Sequence, residues 1–155
     1  MTGLRSTRWM HANAVVLRET GVLLRGDSAA GKSALSLELI AEARGKGEFA
    51  SLVGDDRIAL ENRSGKLIAR PHSAIKGSIE VRGTGIISLA FERSVVIRGV
   101  VDLSAEQRIG GVRQTEVKWE AEEICGLRVP MLVLERRDWL RRIKIGLFLQ
   151  HLEAR

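Results

Sequence analysis

The stretch that decides the fold is GVLLRGDSAAGKSALSLELIAEA, residues 21–43. Its first five residues read as a short buried strand, and residues 33–43 have the composition and apolar spacing of a helix. The octet between them, residues 26–33, has the pattern G-x-x-x-x-G-K-S. Between a strand and a helix, the glycines of this pattern let backbone N–H groups turn inward around a phosphate group. The stretch therefore predicts a phosphate-binding loop, and with it ATP-type chemistry.

Every residue of this loop is a candidate for nucleotide binding: Gly26, Asp27, Ser28, Ala29, Ala30, Gly31, Lys32 and Ser33. Lys32 holds the position that reaches the terminal phosphates, and the Ser33 hydroxyl holds the position that binds Mg²⁺. ATP and Mg²⁺ are thus the predicted cofactors. The alternative is a glycine-rich turn with no ligand, and the flanking strand and helix argue against it.

Length and composition predict a single domain over residues 1–155, because a chain with 45% hydrophobic residues can bury its own core. Cys125 is the one cysteine, so an intrachain disulfide is excluded. No apolar run is long enough for a signal peptide or a membrane span. We therefore expect a cytoplasmic protein with no membrane partner.

The charge balance is basic, with 25 Lys and Arg against 19 Asp and Glu, a net charge of +6. This balance suits phosphate ligands or an acidic partner. Nucleic acid is not expected as a partner, because the chain has no Tyr and no basic run interleaved with aromatic residues.

Short apolar runs separated by glycine and polar turns predict a β-rich chain. The first run should form a hairpin with the strand before the loop, and the polar turn at residues 62–65 should join another. The predicted strands are Met10–Leu17, Phe49–Val53, Ile58–Leu60, Leu67–Ala69, Ile79–Ile87, Val95–Leu103 and Val129–Leu134.

A second helix is predicted from about Arg137 to Leu152, starting near Asp138. Its apolar face would comprise Trp139, Ile143, Leu147 and Phe148 and would pack into the core or an oligomer interface. Residues 107–114 are interpreted as a mobile loop. The predicted fold class is α/β, with a largely β-sheet core, the phosphate loop and flanking helices.

Two adjacent carboxylates, Asp55 and Asp56, follow a predicted strand and could complete the chemistry that a phosphate loop begins. Phosphoryl transfer needs a group that takes a proton from the attacking hydroxyl, and a carboxylate that completes the metal shell. One aspartate could serve each purpose. A solvated Gly-Asp-Asp turn fits the composition equally well. His11, on the first strand, could reach the same site.

A set of separated segments resembles the HPr kinase/phosphorylase family. The set begins with His11-Ala12 and the G-x-x-x-x-G-K-S loop, continues with LVGDDR at residues 52–57, and ends with IEVRGTGII at residues 79–87. The last segment is similar to the family signature I-E-[VI]-R-G-L-G-[IL]. The likeness extends from about Trp9 to Leu134 and is most specific in the Asp-Asp and E-V-R-G-x-G segments.

The resemblance implies an ATP-dependent protein-serine kinase that phosphorylates the phosphocarrier protein HPr in regulation of the phosphotransferase system. It also implies removal of that phosphate by phosphorolysis, with inorganic phosphate consumed and pyrophosphate released. The chain looks like the short form of the family, a catalytic domain alone, and it is expected to form a homo-oligomer, often a hexamer. The implied residue roles are Asp55 as general base, His11 beside it, Ser33 and Asp56 as Mg²⁺ ligands, and Glu80, Arg82 and Gly83 in a signature strand near the site.

The chain departs from the family pattern at three places. Ala34 stands where full-length members commonly carry Glu, and Ala12 stands where they carry Gly. The family's C-terminal Pro-Gly-Arg-Asn loop, which supplies an arginine to the transfer site, has no clear match. Four arginines lie in that region, namely Arg136, Arg137, Arg141 and Arg142.

Two other functions fit the same loop. One is a nucleotide-sensing regulatory module that acts by partner binding without phosphoryl transfer. The other is an ATPase stimulated by nucleic acid, which would show ATP hydrolysis that rises with added DNA or RNA and salt-sensitive binding.

Overall fold

The structure is a computed structural model, and it describes residues 6–27, 30–105 and 119–155. The mobile loop predicted at residues 107–114 lies outside these ranges. Within them the chain forms eleven strands and two helices. The strands are β1 (Arg8–Met10), β2 (Ala12–Leu17), β3 (Thr20–Arg25), β4 (Ala50–Gly54), β5 (Ile58–Arg63), β6 (Lys66–Pro71), β7 (Ser78–Val81), β8 (Gly85–Ser88), β9 (Val95–Ala105), β10 (Glu120–Ile124) and β11 (Leu127–Glu135); the helices are α1 (Lys32–Gly45) and α2 (Arg141–Glu153).

Nine of the described strands form one mixed sheet, in which the main path runs β1-β5-β6-β9-β3-β2-β4. The long strand β9 lies at its centre and pairs parallel with β3 and β11, and antiparallel with β6. β10 pairs antiparallel with β11, while β7 and β8 form a separate hairpin. This largely β architecture with two helices confirms the predicted fold class.

The central strands alternate between two apolar cores because successive side chains point to opposite faces of a strand. On one face, Val22 and Leu24 of β3 pack with buried side chains of both helices. On the other face, Leu23 packs with residues contributed mainly by β2, β5 and β6. The α1 face predicted from the sequence is buried, since Leu35 is 0% exposed and Leu39 and Ala43 are also in the core. In the part of the chain that is described, neither helix is long and apolar enough to cross a membrane.

Two predictions about strands were wrong, and one strand was not predicted. The predicted strand Met10–Leu17 is broken at His11 into β1 and β2, which pair with different strands. The predicted strand Ile79–Ile87 is a hairpin, because Gly83 and Gly85 adopt φ of 81° and 115° and the Thr84 N–H donates to the Val81 carbonyl. β10 was not predicted, because its sequence, EAEEI, is mostly charged and lacks the apolar run that marks the other strands. The two predicted hairpins, β2–β3 and β5–β6, are confirmed.

Of the four residues predicted for the apolar face of the second helix, Phe148 is buried and the other three are exposed, and the helix begins at Arg141. Trp139, Ile143 and Leu147 are 88%, 61% and 53% exposed. The buried face instead comprises Ile145, Phe148, Leu149 and Leu152. Both stripes have helical spacing in the sequence, so the choice between them is made by the surface of the sheet.

Gly99 on β9 is the feature of the sheet that admits this helix. A Cβ placed on Gly99 would lie 2.6 Å from Leu152 Cδ1 and 2.9 Å from Phe148 Cζ. The absence of a side chain therefore lets α2 pack directly against the central strand. The buried stripe is the one that fits this groove.

We expect Gly99→Ala to destabilise the fold by about 1–3 kcal/mol, the usual cost of inserting a methyl group into a packed core. Gly146→Ala, in α2 itself, is the matched control, because an added Cβ there meets no atom within 4 Å. The control should stabilise the protein by up to about 1 kcal/mol, since Ala is the better helix former. Urea unfolding of the three proteins checks both; equal stability of Gly99→Ala and the parent would contradict the packing argument.

Candidate functional site

The predicted phosphate loop lies where the sequence placed it, between the end of β3 and the start of α1. Gly31 precedes the helix in the left-handed region, at φ 85° and ψ 28°, a conformation that favours glycine. Helix α1 then begins at Lys32, so the first N–H groups of the helix face the loop. Ser28 and Ala29 are outside the described residues.

Lys32 is buried, with 5% of its surface exposed, and its ammonium group points back into the loop. Nζ donates to the carbonyls of Gly26 at 2.8 Å and Asp27 at 3.0 Å. Burial lowers the pKa of Lys32 below its usual range, against the raising effect of nearby carboxylates, of which Asp56 is the strongest. The loop thus holds a poorly solvated cation, and such a cation binds a phosphate more strongly than a hydrated one does.

The two adjacent aspartates follow β4 and take different partners. Asp55 is buried, and its Oδ1 accepts a hydrogen bond from the Ser33 hydroxyl at 2.7 Å. Its Oδ2 accepts from the backbone N–H of Glu80 at 3.0 Å. Asp55 therefore joins the loop, the first turn of α1 and strand β7.

Asp56 is half-exposed and lies against His11. Its Oδ1 is 2.9 Å from His11 Nδ1, and Nε2 of the same ring is 3.3 Å from Lys32 Nζ. Asp56 has φ of 66°, in the left-handed region, and its side chain has a different partner from that of Asp55. The carboxylate that His11 contacts is thus that of Asp56, whereas the resemblance implied a place beside Asp55.

The signature residues divide between backbone and surface. Glu80 reaches the site through its N–H group, while its side chain is exposed. Arg82 and Gly83 lie at the exposed tip of the β7–β8 hairpin. Among the described residues, no hydrogen bond or ion pair links the Arg82 side chain to Asp55 or Lys32.

Sequence reasoning missed Asn13, which is 0% exposed on β2. Its Nδ2 donates to Ser36 Oγ at 3.0 Å and lies 3.5 Å from Ser33 Oγ, and its Oδ1 accepts from the backbone N–H of Asp56 at 2.9 Å. The signal was present in the sequence, since Asn13 is the one polar residue in the strand ANAVVL.

Two arginines support the loop from either side. Arg25, the residue before the loop, donates to Asp102 Oδ2 at 2.6 and 3.0 Å and pairs with Glu122. Burial lowers the pKa of Arg25, but these hydrogen bonds outweigh it, so the pKa lies above its usual value. On the outer side, Arg136 pairs with the carboxylate of Asp27. Of the four arginines that the sequence left open, Arg136 is the one that forms an ion pair with a described residue of the loop.

Magnesium fits the oxygen atoms at the centre of this arrangement. Octahedral coordination at 2.0–2.1 Å places neighbouring ligand oxygens about 2.9 Å apart, and the Ser33 and Asp55 oxygens lie 2.7 Å apart. The described residues contain no group of three or more His, Cys, Asp or Glu side chains that could hold a metal. A site of one or two protein oxygens is the usual one for Mg²⁺ bound together with phosphates.

Fold and loop define an α/β protein built on a largely β sheet, with a G-x-x-x-x-G-K-S element between strand and helix. The profile of the HPr Serine kinase C-terminal domain family matches residues 3–138, and the chain belongs to this family. The resemblance predicted from the sequence is thereby confirmed.

The relatives come from several bacteria. The chain is 28% identical to the HPr kinase/phosphorylase of Malacoplasma penetrans over 84% of this chain and 44% of that protein. It is 31% identical to that of Chromobacterium violaceum over 81% of this chain and 41% of that protein. Among solved structures, the Hpr(Ser) kinase/phosphatase of Coxiella burnetii matches with a TM-score of 0.77 and 27% identity, over 95% of this chain and 98% of that one. The chain spans less than half the length of these two sequence relatives.

Proposed function

We propose that the protein is an ATP-dependent serine kinase that phosphorylates HPr and that also removes the phosphate by phosphorolysis. The observation that carries the proposal is the meeting of three groups at one end of the sheet: the buried Lys32 ammonium, the Ser33–Asp55 oxygen pair and the His11–Asp56 pair. These are the parts that phosphoryl transfer requires, namely phosphate binding, a metal site and a proton acceptor. Membership in the family supplies the substrate class.

In the forward reaction, the hydroxyl oxygen of the HPr serine bonds to the γ-phosphorus of ATP as the bond to the ADP oxygen breaks. Lys32 holds the phosphate oxygens and balances their charge, and a carboxylate takes the serine proton. In the reverse reaction, an oxygen of inorganic phosphate bonds to the phosphorus of phosphoserine as the bond from phosphorus to the serine oxygen breaks. Pyrophosphate is formed, and the carboxylate gives a proton to the serine oxygen. Mg²⁺, held by Ser33 and an aspartate, would neutralise charge on the phosphates.

The contacts of the two aspartates favour a division of roles opposite to the one that the sequence suggested. Asp55 touches Ser33 and is therefore assigned to the metal side. Asp56 is half-exposed and paired with His11, so it can meet an incoming hydroxyl, and it is assigned the proton. His11 orients this carboxylate and, through Lys32, links it to the loop.

The test uses purified protein, HPr and labelled ATP with Mg²⁺. Transfer of the label to a serine of HPr, and release of pyrophosphate from serine-phosphorylated HPr with phosphate, are the expected results. Binding of ATP without transfer would instead identify the nucleotide-sensing regulatory module. ATP hydrolysis that rises with added DNA or RNA would identify the third candidate.

Arg136 is proposed as the arginine that serves the transfer site, since its ion pair with Asp27 places it on the loop. We expect Arg136→Ala to lower kcat/KM for ATP about 10- to 100-fold, because the loss of one charge-assisted hydrogen bond costs about 1.5–3 kcal/mol. Arg137→Ala is the matched control and should stay within about twofold of the parent protein. Steady-state kinetics decides, and equal effects of the two substitutions would contradict the assignment.

The assembly and its location are also proposals. The protein is proposed to form a homo-oligomer, and the resemblance implies a hexamer. The exposed apolar residues Trp139, Ile143 and Leu147 support an interface between subunits. Sedimentation measures the number of subunits. A cytoplasmic location fits HPr as the substrate and the half-buried free cysteine Cys125.

A further inference from the structure

Asn13 is a buried polar side chain to which none of the steps above assigns a part. An amide in a strand core is costly unless its donors and acceptors are satisfied. Asn13 is satisfied by bonds to two separate elements, α1 through Ser36 and the turn after β4 through the N–H of Asp56. The residues it joins lie 23 and 43 positions away along the chain.

The two elements that Asn13 joins are the two halves of the proposed site. Ser36 lies one turn after Ser33 on α1, and its own hydroxyl donates to the Lys32 carbonyl at 2.7 Å. The N–H of Asp56 belongs to the turn that carries both aspartates. Since the turn has a residue at φ 66°, a conformation costly for a side-chain-bearing residue, it needs bonds that hold it.

We infer that Asn13 is a positioning residue that fixes the distance between the Ser33 hydroxyl and the Asp55–Asp56 turn. This inference rests on the proposed function, and in it Asn13 does not touch the substrate. It acts through the amide bridge: one end anchors the first turns of α1, and the other anchors the carboxylates. Without the bridge, the loop can still bind nucleotide, but the metal oxygens and the proton acceptor lose their fixed spacing.

The test is the Mg²⁺ dependence of binding of a fluorescent ATP analogue, with Asn13→Ala, Ser36→Ala and the control Asn62→Ala. Asn62 also bonds through its amide, to the Cys125 carbonyl and the Gly65 N–H, but lies near the end of β5, beside the β5–β6 turn. Asn13→Ala should raise the Mg²⁺ concentration for half-maximal binding about five- to tenfold, while affinity without Mg²⁺ changes by less than about twofold. Asn62→Ala should match the parent.

Kinetics with HPr adds a second readout. In Asn13→Ala, kcat should fall at least about tenfold with KM for ATP nearly unchanged at saturating Mg²⁺. Ser36→Ala removes one end of the bridge only, so its Mg²⁺ shift should be smaller, about two- to fivefold, and the double variant should shift less than the product of the two. An unchanged Mg²⁺ half-saturation in Asn13→Ala overturns the inference, as does an equal loss of affinity without Mg²⁺.

If Asn13→Ala does not fold, the test is made with Ser36→Ala instead. A Mg²⁺ concentration for half-maximal binding equal to that of the parent then overturns the inference. If the parent protein transfers no phosphate to HPr, the proposed function fails, but the binding measurement still decides whether Asn13 sets the metal site.

Discussion

Lys32→Met should lower phosphoryl transfer to HPr by about 10²–10³-fold, the scale expected when one group that stabilises transition-state charge is removed. Met keeps the length and apolar stem of Lys, so the buried site stays filled, but it carries no charge and donates no hydrogen bond. Transfer of labelled phosphate from ATP, measured at saturating ATP and HPr, gives the ratio. Circular dichroism shows whether the variant is folded.

Lys46→Met is the control, because Lys46 caps the opposite, C-terminal end of α1 and its side chain forms an exposed pair with Glu42. It should transfer phosphate at the parent rate. The direction of the Lys32 pKa adds a further check: since burial places it below the ordinary value, ATP affinity should fall as the pH rises through that lowered pKa. Full activity of Lys32→Met would show that the Lys32 ammonium group takes no part in phosphoryl transfer, contrary to the proposal.

Asp56→Asn should lower kcat by about 10²–10⁴-fold, the contribution of a positioned general base, with little change in the Mg²⁺ requirement. Asn has the size of Asp and keeps a hydrogen-bonding group toward His11, but it cannot accept the serine proton at neutral pH. The measurement is kcat for HPr phosphorylation across a series of Mg²⁺ concentrations.

Asp55→Asn is the paired variant and should act differently. Because Asp55 contacts Ser33, its loss should raise the Mg²⁺ concentration for half-maximal activity, and added Mg²⁺ should restore part of the rate. His11→Ala, which removes the partner of Asp56, should resemble Asp56→Asn with a smaller loss. The opposite pattern, with Mg²⁺ rescue at Asp56 alone, would return the roles to those the sequence suggested.

Much of the fold could be predicted because its signals are local. The strand, loop and helix around Lys32, the β2–β3 hairpin and the α1 face depend on residues close together in sequence. The hairpin at residues 78–88 was missed because its turn depends on two glycines with positive φ inside an otherwise strand-like run.

The candidate site could be predicted only as a set of residues. His11, Lys32, Asp55 and Asp56 do converge, as the resemblance implied. The partner of each aspartate could not be read from the sequence, because it depends on elements far away in the chain, α1 and β7 for Asp55 and the residue between β1 and β2 for Asp56. Asn13 was missed because a single amide in a strand indicates no function until its hydrogen-bond partners are known.

By itself, the sequence determined the strand–loop–helix unit that carries G-x-x-x-x-G-K-S, the family and the list of groups available for chemistry, since these follow from residue types at fixed spacings. Tertiary structure decided which aspartate meets Ser33, which arginine reaches the loop and which face of α2 is buried. The physical reason is that each of these choices depends on contacts between elements far apart in the chain, such as Arg136 with Asp27 and Phe148 with Gly99. Such contacts are set by the packing of the sheet as a whole, and no local pattern encodes them.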